Sequence, residues 1–258
     1  CRFSAQRRFM SDSLLASPVT ESEWGPARRP RKWPDAPEWR RKPLDSPLDN
    51  DDALAWTLWL ALRRVRDWVD TPPDDRASYF DSAPSASGAQ ERANRDERAA
   101  RWADARAAAP ELHDALTTLA TLWTEPVQVQ VGELAEACDQ VSEWAENRAL
   151  NETALQFAEA AAALEPESAK RANLAGRACR IAGVWSRADV WYQRGLGMAR
   201  RQNSRVELFR GSLGAGAVAY LQGRYRAAHD LFVSGAWKAR DMGRMPLAAR
   251  AQHQVRVA

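Results

Sequence analysis

One stretch of the chain repeats forty residues later, and this repetition limits the fold more than any other feature. Segment 183–188, GVWSRA, returns as segment 223–228, GRYRAA. The same offset relates Trp191-Tyr192 to Leu231-Phe232, Gly176 to Gly216 and Ala199 to Ala239. A fixed internal period is typical of folds that stack copies of one structural unit. The chain is therefore expected to form an array of similar units.

Helical spacing of the apolar residues makes each unit two amphipathic helices joined by a short turn. Gly176 and Gly216 fall in the first helix of a unit, where we expect two helices to pack closely. A first helix is predicted to begin after Asn50 and to end at Thr71-Pro72-Pro73. Nine further helices are predicted at about 89–108, 111–123, 130–147, 151–164, 169–182, 186–201, 206–221, 225–241 and 245–257. The predicted fold class is all-α.

The repeated units resemble the tetratricopeptide repeat family. Residues 169–202 carry its pattern as Ala175-Gly176, Gly183, Trp185, Ala188 and Tyr192. Residues 209–242 carry it as Ala215-Gly216, Gly223, Tyr225, Ala228 and Phe232. Residues 135–168 match less fully, and 243–257 correspond to the first helix of another unit. The resemblance covers about half of the chain and implies antiparallel helix hairpins stacked into a right-handed superhelix.

Two features depart from the family pattern. The last two full units are forty rather than thirty-four residues apart, so the junction Asn203-Ser204-Arg205 is expected to be longer than the usual turn. A single helix follows them, and it is either a cap or the edge of a longer protein. Residues 49–128 form a helical N-terminal region, interpreted as divergent repeats or a cap, and the repeats occupy 129–258.

Seven of the fourteen prolines lie between Pro18 and Pro47, which excludes a regular helix or a central strand there. Residues 1–48 are predicted to be a disordered basic tail, and Met10 is a candidate for the true start. The basic and aromatic residues between Arg28 and Lys42 are open to three interpretations. They form a linker or docking segment, a nucleic-acid contact, or a contact with an anionic membrane surface.

The sequence offers little catalytic chemistry. No apolar run reaches the roughly 20 residues that cross a bilayer, and the three cysteines are too scattered for a disulfide framework or a zinc site. His113, His229 and His253 are isolated in sequence, and no HExxH, GxSxG or phosphate-binding loop is present. The glycine-rich segment 211–216 follows no strand, so close helix packing is its expected role. We expect a cytoplasmic protein with no enzymatic activity and no cofactor.

The net charge of +3 hides a strong division along the chain. Residues 1–47 carry +4 and residues 48–98 carry −4, whereas residues 99–166 carry −9 and residues 167–258 carry +12. Division of charge by sign along a sequence points to partners or to internal pairing. The two large blocks of opposite sign meet near residue 167, at the junction of two units.

In tetratricopeptide proteins the first helices line a concave groove, so the resemblance implies which charged residues face a partner. The implied acidic contacts are Glu136, Asp139, Glu143 and Glu146. The implied contacts in the next two units are Lys170, Asn173, Arg177, Arg180, Arg210 and Tyr220. Residues three and four apart share a helix face, so the four carboxylates form one row and residues 170–180 form another.

Three interpretations of these rows stay open at the level of sequence. The charges are solvated helix faces, or they form a bipolar groove for an extended or helical peptide, or the acidic row faces the basic row and the charges pair. Lys170 with Asn173 resembles the Lys/Asn pair with which some family members hold a peptide's terminal carboxylate. The wider clamp pattern is incomplete in this chain.

The function expected from these features is a protein-interaction scaffold that binds a peptide or a protein partner of unknown identity. An alternative is the sensor or regulatory segment of a transcriptional regulator. Nucleic-acid contact would then fall to the tail, Arg28 to Lys42, or to sequence outside these residues. Self-association is compatible with either function.

Overall fold

A computed structural model describes residues 53–76, 88–124 and 129–257, and the predicted tail at 1–48 lies outside these ranges. Within them the regular structure is entirely helical, as predicted. Ten α-helices are present there, with two short 3₁₀ turns at Pro73–Asp75 and Pro110–Leu112. The helices are α1 (Ala53–Asp70), α2 (Gly88–Ala108), α3 (His113–Thr124), α4 (Val131–Asn147), α5 (Asn151–Leu164), α6 (Ala169–Ile181), α7 (Trp185–Arg201), α8 (Arg205–Leu221), α9 (Tyr225–Asp241) and α10 (Met245–Val257). Those from α2 onwards agree with the predicted bounds within two residues.

Five of the connections between helices share one three-residue geometry, which explains why their bounds were predictable. The middle residue has positive φ in each, and it is Ala149, Gly183, Asn203, Gly223 or Gly243. The backbone N–H of the third residue donates to the carbonyl five positions earlier, as from Val184 to Cys179 at 2.9 Å. This is the Schellman arrangement that closes a helix on a left-handed residue. Glycine adopts that conformation without steric cost, so the Gly183 and Gly223 repeats mark turns.

The expectation of a long junction at Asn203-Ser204-Arg205 is wrong. Residues 202–204 form a three-residue turn of the same kind as 182–184 and 222–224, and Arg205 is already the first residue of α8. Helices α7, α8 and α9 each contain 17 residues, whereas α5 has 14 and α6 has 13. The additional residues of the forty-residue period therefore lie inside the helices.

Consecutive helices pack against one another from α4 to α10, and α6 also contacts α8. The glycines of the first helices create this close approach, as predicted. A Cβ added to Gly176 would lie 3.0 Å from the Tyr192 ring, and one added to Gly216 would lie 2.7 Å from Phe232. Tyr192 is also covered from the other side by Gly214 of α8. One buried ring is thus held between α6 and α8.

Helix α5 is enclosed by its neighbours. All residues from Thr153 to Leu164 are buried, because α1, α4 and α6 all pack on this helix. Alanines at six of its fourteen positions let these helices come close. The N-terminal helix α1 is therefore part of the same packed unit as the repeats.

A buried carboxylate on α5 connects several helices. Glu159 Oε1 accepts a hydrogen bond from Trp191 Nε1 at 2.8 Å and lies 3.6 Å from Cys179 Sγ, while its other oxygen accepts from Arg187. Burial raises the pKa of Glu159, and Arg187 and Trp191 oppose that rise. A buried charge is tolerated when paired and hydrogen-bonded in this way. Glu159 thereby ties α5 to α6 and α7.

Replacing Gly216 by alanine is expected to destabilise the chain by about 1–3 kcal/mol, because the new methyl group overlaps the buried Phe232 ring. Chemical denaturation measures the change. Gly197→Ala is the matched control, since a Cβ there has no neighbour within 4 Å and alanine favours helix over glycine by roughly 0.5–1 kcal/mol. Equal effects of the two substitutions would contradict the packing described.

Glu159→Gln is expected to cost about 3–5 kcal/mol in the free energy of unfolding, because Arg187 loses its buried counter-charge. The control is Glu167→Gln, whose ion pair with Arg201 is exposed on both sides and whose loss should change stability little. Denaturant titration measures the free energy of unfolding of both variants. A Glu159→Gln variant as stable as the control would show that the buried pair does not hold α5 to α7.

Candidate interaction surface

The acidic row on α4 and the basic row on α6 face each other. Arg177 of α6 pairs with Glu146 of α4 at 2.5 Å. This pair crosses the junction at which the negative and positive blocks of the sequence meet. Of the three interpretations of the charge pattern, internal pairing therefore accounts for part of the two rows.

Arg171, which the sequence analysis did not select, is the main partner of the carboxylates. Its buried guanidinium lies 3.2 Å from Asp139 and 3.5 Å from Glu136, and it also binds Glu165. Its backbone N–H donates to Ser168 Oγ at 3.3 Å, an N-cap that fixes the start of α6. The neighbouring Lys170 is exposed instead. One step along a helix rotates a side chain by about 100°, which decides which of two adjacent cations turns inward.

The covered carboxylates of the acidic row have raised pKa values. Burial raises the pKa of Asp139 to about 6, although Arg171 and Lys170 favour its charged form. Burial also raises the pKa of Glu146, and Arg177 opposes this. Both carboxylates thus lie beneath their basic partners rather than facing solvent.

Asn173 is not available to a ligand. Its side chain is buried, and its amide donates to the Glu207 carbonyl at 3.0 Å and to Glu207 Oε2 at 2.9 Å. A carboxylate of the chain itself thus occupies the amide that the Lys/Asn clamp would offer to a peptide terminus. Glu207 also accepts from Arg210 at 2.6 Å.

The ten residues selected from sequence fall into three classes of exposure. Lys170, Arg177, Arg210, Tyr220, Glu136 and Glu143 are exposed. Arg180, Asp139 and Glu146 are partly covered, and Asn173 is buried. Arg180 lies beside Tyr192, and burial raises the pKa of that tyrosine while Arg180 lowers it. The Tyr220 ring meets Tyr225 edge-on at 5.4 Å between centroids.

Two cations of this surface, Arg177 and Arg210, face solvent more than the anions that pair with them, whereas Arg171 is buried beneath Glu136. The Arg177 side chain is 55% exposed and that of Glu146 is 12% exposed. Arg210 shows the same asymmetry over Glu207. From α6 to α8 the accessible charge is therefore positive, whereas exposed Glu136 and Glu143 make the face of α4 negative.

Other chemistry is limited in the described part of the chain. Cys138 and Cys179 are buried free thiols whose pKa values burial raises, so neither is poised as a nucleophile. The glycine-rich segment 211–216 lies within α8 and packs on neighbouring side chains. Across 53–76, 88–124 and 129–257, no three His, Cys, Asp or Glu side chains form a group that could hold a metal ion. None of the helices in these ranges has the length and apolar character needed to cross a membrane.

The raised pKa of Asp139 predicts a pH dependence. The folded chain holds this proton more tightly than the unfolded chain, whose Asp pKa is about 3.9. The stability that the proton contributes is present below about pH 4 and is lost as the pH rises to about 6. Relative to Asp139→Asn, the parent should lose up to about 3 kcal/mol of unfolding free energy across this window.

Denaturant titrations at several pH values between 4 and 7 measure this difference. Glu143→Gln, on the exposed side of α4, controls for exchanging a carboxyl for an amide. A constant difference between the parent and Asp139→Asn across this range would contradict the assignment.

Comparison of the sequence with protein-family models and with curated proteins gives no match. No family model matches the chain. A search of curated proteins also finds no similar sequence. The resemblance to tetratricopeptide repeats therefore depends on the residues quoted above.

Proposed function

We propose that this chain is a non-enzymatic protein-interaction scaffold. A peptide or partner protein binds the surface formed by α4, α6 and α8, the first helices of three successive hairpins. In this proposal the hairpins stack as a right-handed superhelix of tetratricopeptide type. The observation that supports it is the exposure of two guanidinium groups above covered carboxylates. Arg177 on α6 lies over Glu146 of α4, and Arg210 on α8 lies over Glu207 of the same helix.

The charge of this row favours an acidic partner over α6 and α8. Arg177 and Arg210 keep guanidinium groups exposed although each has an internal partner. A guanidinium has five N–H donors, so it can hold one carboxylate and offer further donors to a second. A partner carboxylate at Arg177 would thus add to the ion pair with Glu146.

The negative face of α4 gives the surface a direction. Glu136 and Glu143 are exposed at this end, and Lys170, Arg177 and Arg210 are exposed at the other. A partner segment with a basic end and an acidic end would bind in one orientation, because the reverse places like charges together. The free thiols Cys138 and Cys179 support a reducing compartment such as the cytoplasm.

Exchanging Arg177 and Arg180 together for glutamate is expected to lower partner recovery at least tenfold, because two cations of the α6 face are inverted. Pull-down from a lysate of the source cells, quantified by mass spectrometry, measures recovery. Circular dichroism and thermal melting check that the variant is folded.

Arg200→Glu with Arg201→Glu is the matched control, since it changes the net charge equally on exposed positions of α7. Partners that bind the α6 face should be retained by this control. Equal loss of partners in both variants would show that binding depends on net charge rather than on the α6 face. Full retention of partners by the Arg177/Arg180 variant would show that the proposed surface does not bind them.

A further inference from the structure

Large apolar side chains are exposed in a repeated pattern at one edge of the repeats. Ile181 and Trp185 are exposed at the turn 182–184, and Leu221 and Tyr225 are exposed at the equivalent turn forty residues later. Their exposed fractions lie between 39% and 54%. We call these four residues the turn-edge ladder.

Turn geometry brings the four side chains to the same edge. Ile181 is the last residue of α6 and Trp185 is the first of α7, while Leu221 and Tyr225 have the same places in α8 and α9. The two turns are neighbours, because Arg224 in one pairs at 2.9 Å with Asp189 beside the other. Helices α6 and α8 also contact each other directly.

The ladder residues do little for the core. The buried aromatic positions of the two hairpins are filled by Tyr192 and Phe232, seven residues after each ladder aromatic. Exposed apolar side chains that are grouped at one edge are typical of a binding site. Trp and Tyr are the residue types most often found at the energetic centre of such sites.

The charge around the ladder is positive toward solvent. The Arg224 side chain is 46% exposed and its partner Asp189 is 28% exposed. Arg177, one turn before Ile181, is exposed above its covered partner Glu146 in the same way. Arg226, next to Tyr225, is exposed as well. A ligand for the ladder therefore has to combine apolar side chains with negative charge.

The spacing of the ladder indicates the ligand's conformation. Helices in direct contact lie about 8–10 Å apart, so we expect a similar step between the equivalent residues Ile181 and Leu221 of the contacting helices α6 and α8. A polyproline II segment rises about 3.1 Å per residue with three residues per turn, so every third side chain returns to one face about 9 Å further on. Aromatic surfaces recognise proline in such segments.

We propose that the turn-edge ladder docks an acidic partner segment in polyproline II conformation, with proline or an aliphatic residue at every third position. This inference rests on the proposed scaffold function and names the partner chemistry for the edge of that surface. The apolar residues of the segment contact Ile181/Trp185 and Leu221/Tyr225 in turn. Its carboxylates lie against Arg177, Arg224 and Arg226.

The probe is a fluorescent peptide of four Glu-Glu-Pro triplets, with binding measured by fluorescence anisotropy at low salt. Trp185→Ala and Tyr225→Ala should each weaken binding about tenfold, and the double variant by more. Trp237→Ala is the matched control, because Trp237 is 59% exposed on α9 but lies outside the ladder. It should bind as the parent does.

Two further peptides separate shape from charge. Four Lys-Lys-Pro triplets should not bind, and a scrambled peptide of the same composition with its prolines grouped should bind at least tenfold more weakly than the regular one. Equal affinity for the regular and scrambled peptides would overturn the ladder, as would no binding of the regular peptide up to millimolar concentration.

The natural partner distinguishes failure of the ladder from failure of the scaffold function. If the Arg177/Arg180 variant loses a partner that the Trp185/Tyr225 variant retains, the ladder is wrong and the scaffold function stands. If both variants retain every partner, both proposals fail. Loss in both, with retention by Trp237→Ala, supports both.

Discussion

The packing of α6, α7 and α8 around one tyrosine determines how the rest of the molecule is arranged. The Tyr192 ring on α7 contacts Gly176 and Gly214, so no side chain separates α6 and α8 from it. This close approach brings α6 and α8 into contact. The exposed Lys170 and Arg177 of α6 and the exposed Arg210 and Tyr220 of α8 therefore lie on two contacting helices. Burial of Phe232 against Gly216 repeats the arrangement one hairpin later.

Much of the fold could be predicted from sequence because local signals coincide with the helix ends. Gly183 and Gly223 take positive φ at turns, and Ser168 and Ser204 cap the helices that follow turns. The junction at 203–205 was predicted wrongly for a physical reason. An offset of forty residues gives the period of a repeat, but it does not say whether the additional residues extend a helix or a loop. Here α7 and α8 are longer than α5 and α6. Asn203 takes at its turn the positive φ that Gly183 and Gly223 take at theirs.

The candidate surface was harder to predict, because it depends on how each helix is rotated about its axis. The groove positions implied by the family resemblance selected Asp139, Asn173 and Arg177, and of these three only Arg177 is exposed. Arg171 rather than Lys170 turns toward α4, a choice that requires knowing where Glu136 and Asp139 lie across the hairpin. The exposed apolar residues could not be identified from helical periodicity, because periodicity assigns apolar residues to the buried face of a helix. Trp185 and Tyr225 match the repeat pattern, which by itself suggests packing rather than exposure.

The most direct test of the proposed binding surface is hydrogen–deuterium exchange of the whole chain with and without its bound partner. Binding to the first helices predicts slower exchange in the C-terminal turns of α6 and α8, around 177–181 and 217–221, with α2 and α3 unchanged. Protection confined to α1–α3 or to α10, with no change in α6 and α8, would contradict the central claim.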